Sequence, residues 1–139
     1  MGLVYAEIEL VRHDDKVLIK KGLVPYSQPR SMKIKALVDS GALMLAINEE
    51  IQGQLKFDLV DKQIATFADG SQKELDIVGP VEIKFENRRT IADAFVLPGN
   101  NEILLGAIPM EGLDVLVDPH HQKLIVNPEA PYIPKRSMK

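Results

Sequence analysis

The sequence predicts an all-β domain with one or two short helices, and three observations lead to that class. Apolar and polar residues alternate with a period of two through most of the chain, as they do on half-buried strands. Turn signals rich in glycine, proline and asparagine recur about every 8 to 12 residues. The apolar runs between these turns are too short for long helices. Such a pattern is typical of a sandwich or a small closed barrel.

The composition fits one small globular domain and excludes several function classes. A chain of 139 residues favours a single domain, and its net charge of -3 gives no electrostatic case for binding nucleic acid or an anionic membrane. The absence of cysteine excludes disulfides and thiolate metal sites. No run approaches the roughly 20 apolar residues of a membrane span. Glu7 and Glu9 make the N-terminus a poor signal peptide, so we expect a cytoplasmic protein.

The first 30 residues predict two strands followed by an irregular connection. Residues 3–10 alternate cleanly between apolar and polar side chains, which indicates a strand. Residues 17–21, "VLIKK", predict a second short strand, and the polar residues 12–15 between them predict a hairpin loop. Two prolines in residues 24–30 indicate an irregular segment.

The next segment predicts a strand, a turn, a second apolar run and a helix. Residues 31–38 alternate and run into Asp39, and "LMLAI" follows after Gly41. Asn48 is a favourable N-cap, and the two glutamates after it suit the positive end of a helix dipole. Ile51 and Leu55 then share one face, which predicts a helix of about two turns.

The second half of the chain predicts two hairpins and a compact end. Asp69-Gly70 favours a two-residue type I′ turn within residues 64–78. Residues 80–97 form another strand-turn-strand unit around "NRR". Residues 100–126 then predict a buried strand, a short helical turn and two further strands. We expect one domain over residues 1–128, and a proline-rich tail over residues 129–139 that is extended or disordered.

The stretch "ALVDSGALMLAI", residues 36–47, places a carboxylate within an apolar run. Asp39 ends a predicted core strand, Ser40 adds a hydroxyl, and Gly41 allows backbone angles and close approaches that other residues do not. A carboxylate on a stiff loop in an apolar setting needs a partner, and this segment supplies none. Asp-Ser-Gly is also common in ordinary turns, so the tripeptide alone does not establish a catalytic site.

The motif "LVDSGA", residues 37–42, together with "ILLG", residues 103–106, resembles the retropepsin-type aspartic proteases, and more closely their small bacterial and archaeal relatives. The family pattern is an Asp-Thr/Ser-Gly-Ala motif after two apolar residues, followed some 60 residues later by two apolar residues and a glycine. Gly106 follows Asp39 by 67 positions here, and the Asp69-Gly70 hairpin lies between them, where the family carries its flap. The resemblance covers about residues 3–128.

The resemblance implies a closed, barrel-like acid-protease fold and a homodimer in which each copy contributes one catalytic aspartate. Asp39 would meet Asp39 of a second copy, and the two carboxylates would share a proton. One would activate water and the other would hydrogen-bond the carbonyl of an extended peptide or protein substrate, so that neither a metal nor a cofactor is needed.

The remaining site residues follow from the same resemblance. Ser40 would bond across the dimer, the Gly41 carbonyl would accept a substrate N–H, and Ala42 would lie on the floor of the cleft. The strand that supports the catalytic loop would comprise Leu104, Leu105 and Gly106. Residues near Asp69 and Gly70 would cover the peptide and pair with it as an added strand.

Three features depart from the viral members of the family. Met44 and Leu45 stand where those members have acidic residues, the hairpin tip has a single glycine, and Ala107-Ile108 replaces Arg-Asn. The proline-rich tail also differs from a terminal strand that closes a dimer. These departures leave open the substrate preference and the way in which a dimer is held together.

Other interpretations remain. The main alternative is a non-catalytic dimeric module of the same fold that binds extended peptides or only assembles. A monomeric β domain in which Asp39 caps a turn is a third. His120 and His121 lack a third ligand at metal spacing and favour a solvated turn, and nothing around Ser40 resembles a nucleophile elbow.

Overall fold

The computed structural model describes residues 2–136 and 138, and these residues form nine strands and three short helices. The first half of the chain contains β1 Tyr5–Arg12, α1 His13–Lys20, β2 Ser31–Val38, β3 Leu45–Asn48 and α2 Glu49–Leu55. The second half contains β4 Asp58–Thr66, β5 Gln72–Phe85, β6 Arg88–Leu97, β7 Leu104–Leu105, α3 Ala107–Leu113, β8 Val115–Asp118 and β9 Lys123–Val126. No helix in the described part of the chain is long and apolar enough to span a bilayer.

Seven of the strands form one sheet that closes on itself. Their order is β1-β2-β7-β3-β6-β5-β4, and β1 also pairs with β5, so that six strands make a ring and β4 lies outside it. The β4–β5 hairpin extends from this ring, and β8 and β9 form a separate two-stranded sheet. The predicted all-β class with a closed sheet is therefore confirmed, and the closed part of the sheet is a ring of six strands.

The core fills the interior of the ring, and the period-two pattern placed it correctly. In β1, Ala6, Ile8 and Leu10 are buried, whereas Glu7 between them is exposed. The apolar residues with no exposed surface come from several strands and from α3, and they include Leu10, Ala36, Leu45, Ile47, Val81, Ile83, Ala94, Leu105 and Leu113. Their burial is the main force that holds the ring together.

Helix α2 forms where the sequence predicted it. The side-chain oxygen of Asn48 accepts a hydrogen bond of 2.9 Å from the Ile51 N–H, which is the predicted N-cap. Ile51 and Leu55 are both buried on its inner face. The buried strand, helical turn and final two strands predicted for residues 100–126 are present as β7, α3, β8 and β9.

The prediction of a second strand at residues 17–21 was wrong, because this segment belongs to helix α1. The β-branched residues in "VLIKK" favour a strand locally. Ion pairs favour the helix: the buried Asp15 carboxylate accepts hydrogen bonds from the distant Arg30 and from its near neighbour Arg12, and Lys16 donates to Glu82 on β5. The predicted hairpin loop at residues 12–15 is therefore the end of β1 and the first turn of this helix.

Two predicted turns differ from the structure in length. At the tip of the β4–β5 hairpin the Phe67 N–H donates to the Ser71 carbonyl, so the loop comprises three residues, 68–70. Within it the Gly70 N–H donates to the Phe67 carbonyl, and only Gly70 has a positive φ (+85°). A two-residue type I′ turn needs positive φ at both central positions, and Asp69 does not provide one. The second turn ends two residues earlier than predicted, at Asn87 and not at Arg89, since β6 begins at Arg88.

Residues 127–136 contain no strand or helix and run along the surface of the domain. The Lys135 N–H donates to Asp114 at 2.8 Å, and the Arg136 guanidinium donates to the Glu111 carbonyl at 2.7 Å. The predicted boundary between a domain and a tail after residue 128 stays a prediction. Residues 137 and 139 of the predicted tail lie outside the described residues.

Candidate active site

Asp39 lies immediately after β2, and its main chain is hydrogen-bonded to β7. The Asp39 N–H donates to the Leu105 carbonyl at 3.0 Å, and the Leu37 N–H donates to the Ile103 carbonyl at 2.8 Å. β2 and β7 pair in parallel, with Val38 opposite Leu105. Because Leu105 is fully buried, the segment 103–105 fixes the position of Asp39 from within the core.

The Asp39 side chain is half-buried and is oriented by its own loop. The Gly41 N–H donates to Asp39 Oδ1 at 3.0 Å, and the Ala42 N–H donates to the Asp39 carbonyl at 3.1 Å. These two bonds make a tight turn in which Ser40 is exposed beside the carboxylate. In the described part of the chain, the Gly41 N–H is the only hydrogen-bond donor to the Asp39 side chain.

The start of α3 packs directly against the loop that follows Asp39. The Ala107 N–H donates to the Ala42 carbonyl at 2.8 Å, and the Ile108 N–H donates to the Leu43 carbonyl at 2.9 Å. A Cβ atom on Gly106 would lie only 2.3 Å from the Met44 carbonyl oxygen. The glycine is therefore needed for a close approach between two backbone segments, a role that fits the motif position of Gly106.

A groove of about 340 Å³ lies between this loop and the β4–β5 hairpin. None of its lining residues is charged, and only Gln63 and Thr66 bring a polar side chain. The loop and β7 contribute Gly41, Ala42, Leu43, Met44 and Leu104, and the hairpin and neighbouring strands contribute Ile64, Phe67, Leu75, Phe95 and Leu97 among others. The groove is open, apolar and adjacent to Asp39, which suits the side chains of an extended peptide.

Three of the predicted site residues line this groove, and the two predicted at the hairpin do not. Gly41, Ala42 and Leu104 line the groove, whereas Asp69 and Gly70 lie at the exposed hairpin tip and are not among its lining residues. Asp69 Oδ1 accepts hydrogen bonds from the Ser71 hydroxyl and N–H, which lower the pKa of Asp69. Substrate contact by Asp69 and Gly70 stays a prediction.

Asp39 and Ser40 are not among the residues that line this groove. They line a separate hollow of about 360 Å³ at the same loop. Its walls are the N-terminal segment Gly2, Leu3 and Val4, the end of β2, and Val117 of β8. Val4 is tied to β2, since its carbonyl accepts the Val38 N–H at 2.8 Å. Apart from the Asp39 carboxylate, the side chains of this hollow are uncharged, and most of them are apolar.

Sequence reasoning missed the apolar lining from the hairpin and β6, and it missed two buried carboxylates. Hydrogen bonds from Arg30 lower the pKa of Asp15 to about 2, although burial opposes this shift. Burial likewise opposes ionisation of Glu82, but hydrogen bonds from Lys16 and Arg89 outweigh it and lower the pKa of Glu82. Both carboxylates are paired and lie outside the groove, so they belong to the scaffold. The signal that could have revealed the helix carrying Asp15 is its charge pattern. Asp14 and Asp15 lie in the first turn and Lys20 lies in the last turn, as the helix dipole favours.

The histidine pair belongs to the turn between β8 and β9. His121 Nδ1 lies 2.8 Å from Asp118 Oδ2, and this contact lowers the pKa of Asp118. Among residues 2–136 and 138, no three His, Cys, Asp or Glu side chains cluster as metal ligands. The pair thus has the surroundings of a solvated turn.

Comparisons with known proteins support the fold through structure alone. No family model matches the sequence. No curated protein sequence matches it either. Among solved structures, the chain is similar to the retroviral protease-like domain of Ddi1 from Leishmania major, with a TM-score of 0.57 and 12% identity over 92% of this chain and 90% of that one. The chain therefore has a retroviral protease-like fold, as the resemblance in its motifs implied.

Proposed function

We propose that this protein is an aspartic endopeptidase that acts as a homodimer through a pair of Asp39 carboxylates. The observation that carries the proposal is the position of Asp39 in a retroviral protease-like fold. The residue is fixed by β7, lies beside an uncharged groove, and receives a hydrogen bond only from the Gly41 N–H among the described residues. Two such carboxylates facing each other would form the two-carboxylate site that this chemistry needs.

The reaction follows from the chemistry of two carboxylates that share a proton. The ionised one removes a proton from a bound water, and the oxygen of that water adds to the peptide carbonyl carbon. The protonated one hydrogen-bonds the carbonyl oxygen as it gains negative charge. Transfer of its proton to that oxygen gives a tetrahedral diol. The C–N bond then breaks as the amine takes the proton that the other carboxyl removed from water, one diol hydroxyl returns a proton to the second carboxylate, and a carboxylic acid remains.

The other residues position the peptide and the two loops. The Gly41 carbonyl accepts an N–H of the substrate, Ala42 and Leu104 contact its side chains in the groove, and the Ser40 hydroxyl bonds across the dimer. The β4–β5 hairpin, including Asp69 and Gly70, covers the peptide. Residues 1–128 form the catalytic domain.

The test compares the wild type with Asp39→Asn on a library of unstructured peptides analysed by mass spectrometry. We expect the substitution to lower the cleavage rate by at least about 10³-fold, since it removes both the base and the acid. Asp14→Asn is the matched control, because Asp14 lies in α1 outside the groove and outside the hollow at Asp39. Peptide cleavage by Asp39→Asn at the wild-type rate would refute the mechanism.

A pH profile of the wild type adds a second criterion. A pair that shares one proton is active only while one carboxyl is ionised and the other protonated, so the rate is expected to follow a bell-shaped curve on the acid side of neutral. Maximal activity above about pH 8 would contradict a carboxylate pair.

A second candidate function is a non-catalytic dimer of the same fold that binds extended peptides. The feature that favours it is the hairpin tip, whose single glycine, Gly70, makes it stiffer than a tip with several glycines. Such a module would bind peptides with equal affinity as wild type and as Asp39→Asn, and neither protein would hydrolyse them.

A further inference from the structure

We propose that residues 127–136 form a strap that closes the C-terminal end of α3 through Arg136, and that this contact keeps the other end of α3 seated on the Asp39 loop. Arg136 is then a positioning residue that acts on Asp39 through α3. Its effect on catalysis rests on the proposed function, whereas its effect on α3 does not.

Helix α3 has little stability of its own. It is seven residues long and contains both Pro109 and Gly112, the two residue types least suited to a helix interior. A helix this short is marginal in water even with a favourable sequence. Its last turn carries no basic residue to complement the negative end of the helix dipole. Contacts from outside the helix must therefore hold α3 in place.

The two ends of α3 contact different parts of the molecule. At its N-terminal end, the first two N–H groups donate to the loop that follows Asp39. At its C-terminal end, the Arg136 guanidinium donates to the Glu111 carbonyl at 2.7 Å and also to the Gly112 carbonyl. These carbonyls belong to the last turn, where a helix offers no partners for them. Arg136 thus supplies both the missing donors and the positive charge.

Asp114, the residue that ends α3, binds both ends of the strap. Its carboxylate accepts hydrogen bonds from the Lys135 N–H at 2.8 Å and from the Asn127 side chain at 3.0 Å. These bonds lower the pKa of Asp114, so the carboxylate is ionised at neutral pH. Asp114 has a φ of +55°, in the left-handed region where glycine is the usual residue after a helix. An aspartate in this conformation indicates that its side chain is needed to bind the strap.

The middle of the strap is attached to the turn between β5 and β6. The Asn87 side chain donates to the Pro131 carbonyl at 2.8 Å, and the fully buried Arg88 guanidinium donates to the Ala130 carbonyl. The main chain of the strap therefore follows a fixed path to α3. Only the side chain of Arg136 remains to be ordered, which lowers the entropic cost of its contact with the helix.

The first experiment measures hydrogen exchange by NMR in full-length variants, with circular dichroism to verify folding. We expect Arg136→Ala to speed exchange of the Ala107 and Ile108 amides by at least about 10-fold, because hydrogen bonds from charged donors are among the stronger ones. The Ile51 amide, which is bound at the cap of α2, should keep its rate.

Two further variants separate the contact from its charge. Lys135→Ala is the matched control, because it removes an equal charge one residue away, while the hydrogen bond from Lys135 to Asp114 is made by its main chain. It should exchange as the wild type does. Arg136→Lys keeps the charge but loses the fork that reaches two carbonyls, so its rates should lie between those of the wild type and Arg136→Ala. This variant keeps the test decisive if the alanine variant does not fold.

The second experiment measures kcat and KM on a peptide that the wild type cleaves. Arg136 does not line the groove, so its loss should act on the placement of Asp39 and not on peptide binding. We expect Arg136→Ala to lower kcat by at least about 5-fold with little change in KM, and Lys135→Ala to match the wild type. A rise in KM at unchanged kcat would exclude a positioning role.

The exchange data overturn the inference in three cases. Unchanged rates at Ala107 and Ile108 in a folded Arg136→Ala variant would show that the strap does not hold α3. Equal acceleration at Ile51 would show a general loss of stability, and an equal effect of Lys135→Ala would show an effect of net charge alone. A wild type that cleaves no peptide would refute the proposed function while the exchange rates still decide the strap, so the two failures are distinguishable.

Discussion

Gly106→Ala tests the close packing of α3 against the Asp39 loop. A Cβ atom at this position would lie 2.3 Å from the Met44 carbonyl oxygen and 2.7 Å from the Ala42 carbonyl oxygen. Gly106 has a φ of -87°, which any residue can adopt, so the expected effect is steric and not conformational. Overpacking typically costs about 1–3 kcal/mol. Because the clashing atoms belong to the main chain and cannot rotate away, we expect the free energy of unfolding to fall by about 3 kcal/mol.

The assays are urea unfolding at neutral pH, thermal unfolding and hydrogen exchange. For a domain of this size, a loss of about 3 kcal/mol lowers the melting temperature by roughly 10 °C. The amides of Ala107 and Ile108, which donate to the loop carbonyls, should also lose protection from exchange.

Gly53→Ala is the matched control. Gly53 is an exposed residue within α2, and an added Cβ would have no atom within 4 Å. Alanine there should stabilise the protein by about 0.5–1 kcal/mol. Equal effects of the two substitutions, or a change below about 0.5 kcal/mol for Gly106→Ala, would refute the packing argument.

Two further predictions concern the scaffold. The pKa of Asp15 is about 2, below its ordinary value of 3.8, so this carboxylate contributes about 2 kcal/mol above pH 4 and loses that contribution as the pH falls towards 2. Urea unfolding should therefore show Asp15→Asn about 2 kcal/mol less stable at pH 7 but close to the wild type at pH 2, and an equal deficit at both pH values would exclude this linkage. Asn48→Ala removes the cap on α2 and the hydrogen bond to the Asn101 carbonyl, and calorimetry should detect a loss of about 1–2 kcal/mol, whereas Gln54→Ala on the exposed face should change little.

Local signals in the sequence placed most of the elements and the centre of the candidate site. The alternation in residues 31–38 depends on one buried side of a strand, and the cap at Asn48 depends on a residue three positions later. The order of Asp39 and Gly106 in their motifs carried the resemblance to aspartic proteases. Asp39 and the segment 103–106 do lie together in the structure.

The tertiary structure decided whatever depends on residues far apart in the chain. Residues 17–21 have strand propensity, but Asp15 binds Arg30 fifteen positions later and makes the segment helical. The groove combines Leu43, Phe67 and Phe95 from separate strands and loops, and no local pattern links these positions.

By itself, the sequence determined the all-β class, the strand faces, the α2 cap and the loop that carries Asp39. Only the tertiary structure decided the helix at residues 13–20, the closure of the sheet by β1 and β5, and the open edge of β8. The physical reason is that alternation and capping act between near neighbours, whereas ion pairs, ring closure and uncovered edges depend on which distant segments meet.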